Sequence, residues 1–136
     1  MKIRAHHLIC LVAYNGQGYG PEFEKTFNDM QHRYLTSATG EIEVIAGPDA
    51  ACESCTFFSG DGCSSSQDGP EEKIVAFDNK ALRLLKLSPG TYRARDILRR
   101  VRSLSTQELD DFCKGCSWYH KTNCVELIQL RIETLF

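Results

Sequence analysis

The sequence contains the same cysteine spacing twice. Residues 52–63 read CESCTFFSGDGC and residues 113–124 read CKGCSWYHKTNC, so both segments follow the pattern C-x2-C-x7-C. In each segment, a hydroxyl residue and two aromatic residues follow the second cysteine directly. Two thiols separated by two residues can bind one metal centre from a tight turn, and a third thiol can close the loop over it. The spacing therefore predicts two metal-binding loops.

The first triplet is Cys52, Cys55 and Cys63, and the second triplet is Cys113, Cys116 and Cys124. Together they use six of the seven cysteines in the chain. In a disulfide framework an odd cysteine total is unfavourable, and the start MKIRAHHLICLVAY lacks the cleavage site of a signal peptide. Clustered thiols in a protein that is not exported more often bind metal than form disulfides. We therefore expect a cytoplasmic protein with reduced cysteines.

Size and composition are those of a globular domain with one core. The 136 residues are 42% hydrophobic and 25% charged, and no linker divides them, so we expect one domain over residues 1–136. The net charge of −2 gives no overall field that would attract nucleic acid. No apolar run approaches the roughly 20 residues that cross a bilayer, so we expect no membrane association.

Hydrophobic periodicity predicts an α+β fold that is rich in helices, with two or three short strands. Ser105 and Glu108 match the capping-box pattern at the start of a short helix that leads into Cys113. The last helix is apolar on almost every side, which predicts burial or a covering partner. The predicted helices cover about residues 5–14, 21–36, 71–87, 95–102, 105–113 and 124–136, and the predicted strands are EIEVIAG from residue 41 and TYRA from residue 91.

The first predicted helix offers further metal ligands. His6 lies four residues and His7 three residues before Cys10, so either histidine shares a helix face with this cysteine. Two arrangements remain open. One has two four-coordinate sites, each made of one triplet and one ligand from this helix, and the other has a single cluster made of one triplet and Cys10, with the second triplet binding zinc or nothing. For His7 a ligand and a core residue are equally consistent with the pattern, whereas His6 is expected in the core or at the helix cap. His120 is an alternative fourth ligand of the second triplet. The candidate ligands are Cys10, Cys52, Cys55, Cys63, Cys113, Cys116, Cys124 and His7.

Three stretches occur together and in order, namely RAHHLICL at residues 4–11, GYGPEF at residues 18–23, and the two triplets. This set resembles an uncharacterised family of small bacterial and archaeal proteins that are suspected of binding iron–sulfur clusters. The resemblance implies that Arg4, His6, His7 and Cys10 belong to the functional site together with both triplets. It also implies iron rather than zinc, most simply as a 4Fe-4S cluster.

These patterns lead to three alternative functions. The leading one is an iron–sulfur protein that passes electrons to a redox partner protein or senses redox state, with the cysteines holding the cluster. The second is a zinc-stabilised binding module, in which the arginine run 93–102 docks an acidic protein or, less expectedly, nucleic acid. The third is an enzyme with an open metal position and His6 or His7 as acid or base. No nucleophile–base pair or P-loop supports catalysis, and GQGYG at residues 16–20 is better explained as a turn, so enzyme status stays open.

Overall fold

The computed structural model describes residues 1–14, 21–36, 40–47, 49, 58–59, 62–63, 71–114 and 124–135. The described residues form six helices and five strands, which confirms the predicted helix-rich α+β class. In chain order these are β1 Lys2–Arg4, α1 His7–Ala13, α2 Pro21–Thr36, β2 Glu41–Ile45, β3 Phe58–Ser59, β4 Gly62–Cys63, α3 Glu71–Leu85, β5 Gly90–Arg93, α4 Ala94–Arg102, α5 Thr106–Cys113 and α6 Cys124–Leu135.

A three-stranded sheet with the order β1-β2-β5 forms one side of the core. β1 and β2 are parallel, with Ile3 opposite Val44, and β5 is antiparallel to β2. On β2 the buried Ile42 and Val44 alternate with exposed glutamates, as the sequence pattern predicts for a half-buried strand. Because β1 and β2 are parallel, the residues that follow both strands meet at the same edge of the sheet.

α1 is the central helix of the fold. Every one of its residues is buried, and it packs mainly against α6, with α2 on another side. The predicted apolar face of α2 is confirmed, since Phe23, Phe27, Met30 and Tyr34 are all buried. The Tyr34 hydroxyl donates to the Leu8 carbonyl oxygen over 2.9 Å, which satisfies the polar end of an otherwise buried ring. Side chains on different faces of α1 therefore contact different helices and strands.

Local signals fix two of the helix ends. At the start of α5, the Ser105 hydroxyl accepts from the Glu108 N–H at 3.1 Å, and the Glu108 carboxylate accepts from the Ser105 N–H at 3.0 Å. This is the predicted capping box. α3 ends at Leu85, before the predicted Leu87, because Lys86 takes the left-handed φ of 57° and turns the chain.

α6 is buried within the chain on one face only, so of the two predicted alternatives, burial in the core or a covering partner, burial holds for this face alone. Cys124, Ile128 and Ile132 lie in the core, whereas Leu130 is 60% exposed. Arg131 joins the helix to the end of α1 by donating to the Val12 carbonyl oxygen at 2.8 Å and to that of Tyr14. Of the helices within the described ranges, none is long and apolar enough to cross a membrane.

Candidate functional site

The chain segments that follow β1 and β2 are joined by hydrogen bonds at the sheet edge. The Ala5 N–H donates to the Ile45 carbonyl oxygen at 2.8 Å, and the Arg4 N–H donates to Asp49 Oδ2 at 2.9 Å. α1 begins at once with His7, so both histidines are held close to this edge. Ligand sites of parallel sheets commonly lie beyond the carboxyl ends of their strands. With Asp78 from α3, the residues gathered here form what we call the histidine–aspartate cluster: Arg4, His6, His7, Asp49 and Asp78.

Asp78 is fully buried and holds Arg4 and His6 together. Its Oδ2 accepts from Arg4 Nε at 3.0 Å and Nη2 at 2.8 Å, and its Oδ1 accepts from the His6 N–H at 3.1 Å. His6 Nδ1 lies 2.7 Å from Oδ1. Burial alone raises the pKa of Asp78, but the hydrogen bonds and charges of His6 and Arg4 outweigh it and lower this pKa. Asp78 is therefore an ionised acceptor.

His6 is uncharged at neutral pH. Burial, followed by the proximity of His7, lowers the pKa of His6 from 6.5 to about 4, against the opposing effect of Asp78. Because an ionised carboxylate can only accept, the His6 proton lies on Nδ1 and the Nε2 lone pair is free. His6 occupies the N-cap position of α1, yet its side chain bonds to Asp78 and not to the helix backbone. The sequence predicted His6 in the core or at the helix cap. His6 does occupy the N-cap position, but its hydrogen bond to Asp78 was not predicted.

His7 repeats the same arrangement with a different carboxylate. Its Nδ1 lies 2.7 Å from Oδ2 of Asp49, whose side chain is fully buried. The His6 and His7 ring centres are 4.4 Å apart, with the planes inclined at 62°. Within the part of the chain that the structure describes, neither Nε2 atom has a hydrogen-bond partner. Two adjacent imidazoles, each fixed by a carboxylate at Nδ1, can bind a cation or exchange a proton at Nε2.

A second cluster contains three thiols from three helices. Cys10 of α1, Cys113 at the end of α5 and Cys124 at the start of α6 line one cavity of about 10 Å³, which we call the thiol cavity. All three cysteines are buried, and none of them is in a disulfide. Ile9, Ala13, Phe112 and Ile128 complete its wall.

The thiol of Cys124 is more acidic than an ordinary cysteine. Its hydrogen bond with Cys113 lowers the pKa from 9.0 to about 7, although burial opposes this change, and a backbone N–H at the start of α6 adds to it. Thiolate is the form that binds metal. The cavity is about the size that one water molecule needs, so it accommodates a single ion more readily than a larger group.

The candidate ligands thus separate into two places. Cys10 meets both ends of the second triplet, whereas neither histidine lines the thiol cavity. In the described residues, no group of three or more His, Cys, Asp or Glu side chains is placed to hold a metal ion. Cys63 pairs with Phe58 through the β3–β4 backbone. The remaining candidates, Cys52, Cys55, Cys116 and His120, lie outside the described residues, as do the glycine-rich stretch and the aromatic residues Phe57, Trp118 and Tyr119.

Sequence reasoning missed Asp49 and Asp78. Asp78 lies four residues after Ile74 and three before Ala81, on the face of α3 that is otherwise apolar and buried. A carboxylate on an apolar helix face was a usable signal, because such a group needs a buried partner. Asp49 gave no comparable signal, since its role depends on the pairing of β1 with β2, and β1 was not predicted.

The arginine run 93–102 forms an exposed face, as the sequence predicts. One of its members, Arg100, donates hydrogen bonds within the fold. Arg95, Arg99 and Arg102 are exposed on α4. Arg99 lies 3.7 Å from Asp96 in an exposed ion pair. Arg100 instead donates to the carbonyl oxygens of Leu85 at 3.1 Å and Lys86 at 2.7 Å, so it caps the end of α3.

The fold and the two clusters define a small α+β protein whose central helix carries a buried histidine and a buried cysteine, with a second histidine at its N-cap. A family model described as "Protein of unknown function (DUF1284)" matches residues 18–122, and the chain belongs to this family. The matched residues include the first triplet, Cys113 and Cys116, but neither RAHHLICL nor Cys124. No curated protein and no solved structure matches the chain significantly.

Proposed function

We propose that the protein holds a metal centre through Cys10 and the second triplet. In the leading form of this proposal the centre is an iron–sulfur cluster, and the protein transfers electrons to a redox partner or senses redox state in the cytoplasm. One observation carries the proposal: three cysteines that are far apart in the sequence line a single buried cavity. This supports the feature that both open arrangements share, which is a triplet completed by a ligand from α1.

The chemistry of the thiol cavity supports this reading. A buried thiol is ordinarily a small apolar residue, and a single one needs no further explanation. Here Cys113 and Cys124 are hydrogen-bonded to each other beside Cys10, and none of the three is in a disulfide. Three thiols drawn from three helices are an unusual way to fill a cavity of about 10 Å³. As placed in the described residues they do not form a metal-binding group, and a movement of the helices would bring them together as three soft ligands for a thiophilic metal.

Cys116 is the proposed fourth ligand. It follows Cys113 by three residues, so an extended chain keeps the two Cα atoms within about 11 Å. A C-x2-C turn brings such a pair onto one metal centre, as in zinc and iron–sulfur sites that have four cysteine ligands. When bound, the centre would supply either electron transfer or cross-linking of the three helices, depending on the metal. The chain's own residues hold it and exclude water from it.

A zinc ion is the second candidate, and the size of the cavity favours it. A cavity of about 10 Å³ accepts one ion with little movement, whereas a four-iron cluster needs α6 to move away from α1 and α5. Zinc would make the protein a metal-stabilised binding module rather than a redox protein. Its exposed α4 arginines would then serve as the docking face.

Metal analysis of untagged protein that is purified without oxygen tests both forms. Iron and acid-labile sulfide in near-equal amounts, with a visible spectrum that bleaches under dithionite, would support the cluster. Colourless protein with bound zinc would support the second candidate.

The Cys10→Ala variant tests the ligand set, and Val12→Ala is its control. We expect Cys10→Ala to lose most of the bound metal. Val12 is buried in the same helix but has no thiol, so its truncation should leave the metal content unchanged. Full metal content in Cys10→Ala, or no metal in the parent protein, would refute the proposal.

A further inference from the structure

We propose that His6 and His7 form a second, separate binding site for a borderline divalent cation such as Zn²⁺, Co²⁺ or Ni²⁺, coordinated by their two Nε2 atoms. The site does not depend on the thiol cavity or on its occupant. It lies at the carboxyl ends of the parallel strands β1 and β2, in the histidine–aspartate cluster. The contacts of the two rings within this cluster, and their packing against two phenylalanine rings, support it.

The carboxylates give both rings the form that a metal needs. Asp78 Oδ1 lies 2.7 Å from Nδ1 of His6, and Asp49 Oδ2 lies 2.7 Å from Nδ1 of His7. Histidines that bind metal usually donate their other ring N–H to a carboxylate or carbonyl oxygen, which fixes the tautomer and the ring orientation. Here two neighbouring residues both show this arrangement, and their carboxylates come from two different elements.

The distance between the rings suits one shared ion. With metal–nitrogen bonds of about 2.0 Å, two imidazoles on the same ion have their ring centres about 4–5 Å apart. The ring centres of His6 and His7 are 4.4 Å apart before any ion is bound. Phe77 beside His6 and Phe27 beside His7 pack against the rings at 4.9 and 5.0 Å and limit their rotation.

Charge and access also favour a cation. The cluster brings two carboxyl groups, Asp49 and Asp78, together with one guanidinium group, Arg4. The side chains of His6 and His7 remain 12% and 10% exposed, so a hydrated ion can reach them. Two imidazoles occupy only part of a coordination sphere, which leaves positions for water or for an oxygen ligand such as a carboxylate.

The first test adds Co²⁺ alone to the protein as purified, with its resident metal in place. We expect a Co²⁺ ion to bind without the near-ultraviolet charge-transfer absorption that thiolate ligands produce. His7→Gln should weaken this binding at least about tenfold, and Asp49→Asn, which removes only the orienting carboxylate, about 10–100-fold. His32→Gln is the matched control, because His32 is exposed on α2, away from the cluster.

A second test needs no substitution, so it does not depend on whether a variant folds. In protein labelled with ¹⁵N in its imidazoles, Zn²⁺ should shift the Nε2 signals of His6 and His7 together and leave their Nδ1 atoms protonated. Nε2 signals that do not shift, or equal Co²⁺ affinity in His7→Gln and His32→Gln, would overturn the proposal. His6 and His7 would then have a structural or proton-exchanging role. Failure of the thiolate proposal looks different: the purified protein then lacks thiolate-bound metal, while this Co²⁺ site persists.

Discussion

At the scale of single residues, Asp78 holds the side chains of Arg4 and His6 in place by hydrogen bonds. It is fully buried and accepts four hydrogen bonds, from two atoms of Arg4 and two of His6. A buried carboxylate is tolerated only when its charge is paired and its lone pairs are bonded. The contact with Asp78 places the His6 proton on Nδ1, whereas burial, followed by the proximity of His7, keeps the ring neutral. A group kept neutral by burial makes the stability of the fold depend on pH.

We expect the metal-free protein to lose stability as the pH falls from about 6.5 to about 4. Folding lowers the pKa of His6 from 6.5 to about 4, so in this range the unfolded chain binds a proton that the folded protein does not. The contribution of this pKa difference to the free energy of unfolding is fully present above pH 6.5. It is lost by about pH 4, which lowers the free energy of unfolding by at most about 3 kcal/mol. The lowered pKa of Asp78 adds a further loss below its ordinary value of 3.8. Urea unfolding at a series of pH values measures this slope.

His6→Gln should flatten this pH dependence, because glutamine does not titrate. His32→Gln should keep it, since that residue is exposed. The same slope in both variants would show that another group is responsible.

At the scale of secondary structure, α3 ends in a Schellman motif that lacks the usual glycine. The Leu87 N–H donates to the Leu82 carbonyl oxygen at 2.9 Å, and the Lys86 N–H donates to that of Arg83 at 3.3 Å. Lys86 occupies the position between them with a φ of 57°. A residue with a Cβ is disfavoured by about 1 kcal/mol or more in this left-handed conformation, and glycine is not.

Lys86→Gly should therefore stabilise the protein. We expect the free energy of unfolding to rise by roughly 0.5–1 kcal/mol, because the relief of strain exceeds the added freedom of the unfolded chain. The contact from Arg100 survives, since it uses the Lys86 carbonyl oxygen. The same substitution at Lys73, an exposed residue in the first turn of α3, should instead destabilise by up to about 1 kcal/mol. Thermal or urea unfolding compares the two, and a loss of stability in Lys86→Gly would contradict the expectation.

The elements that sequence reasoning located are those whose signals are local. The apolar face of α2 repeats over four turns, and the capping box at Ser105 needs only four residues, so both were predictable. β1 has three residues, too few to show a period. On α6 the apolar residues outnumber those that the neighbouring helices can cover, so composition overstated its burial and Leu130 is exposed.

At the scale of the whole molecule, the candidate site depends on distances along the chain that no local pattern encodes. The spacing of His7 and Cys10 predicted that these two candidate ligands share a face of α1. It did not reveal that His7 meets Asp49 while Cys10 meets Cys113 and Cys124. Those partners follow from the parallel pairing of β1 with β2 and from the packing of α6 on α1. The pairing of the strands and the packing of the helices therefore determine which residues meet in the two clusters.

Because the thiol cavity lies between three core helices, the proposed metal centre should stabilise the whole protein. A ligand that binds only the folded state at 1,000 times its Kd adds about 4 kcal/mol, which raises Tm by several degrees or more. We expect a chelator to lower the Tm of the native protein by this amount. Cys10→Ala should melt at the same temperature with and without chelator, whereas Val12→Ala should start from a lower Tm and keep the full difference. An unchanged Tm after complete metal removal would mean that metal bound by this protein does not join α1, α5 and α6.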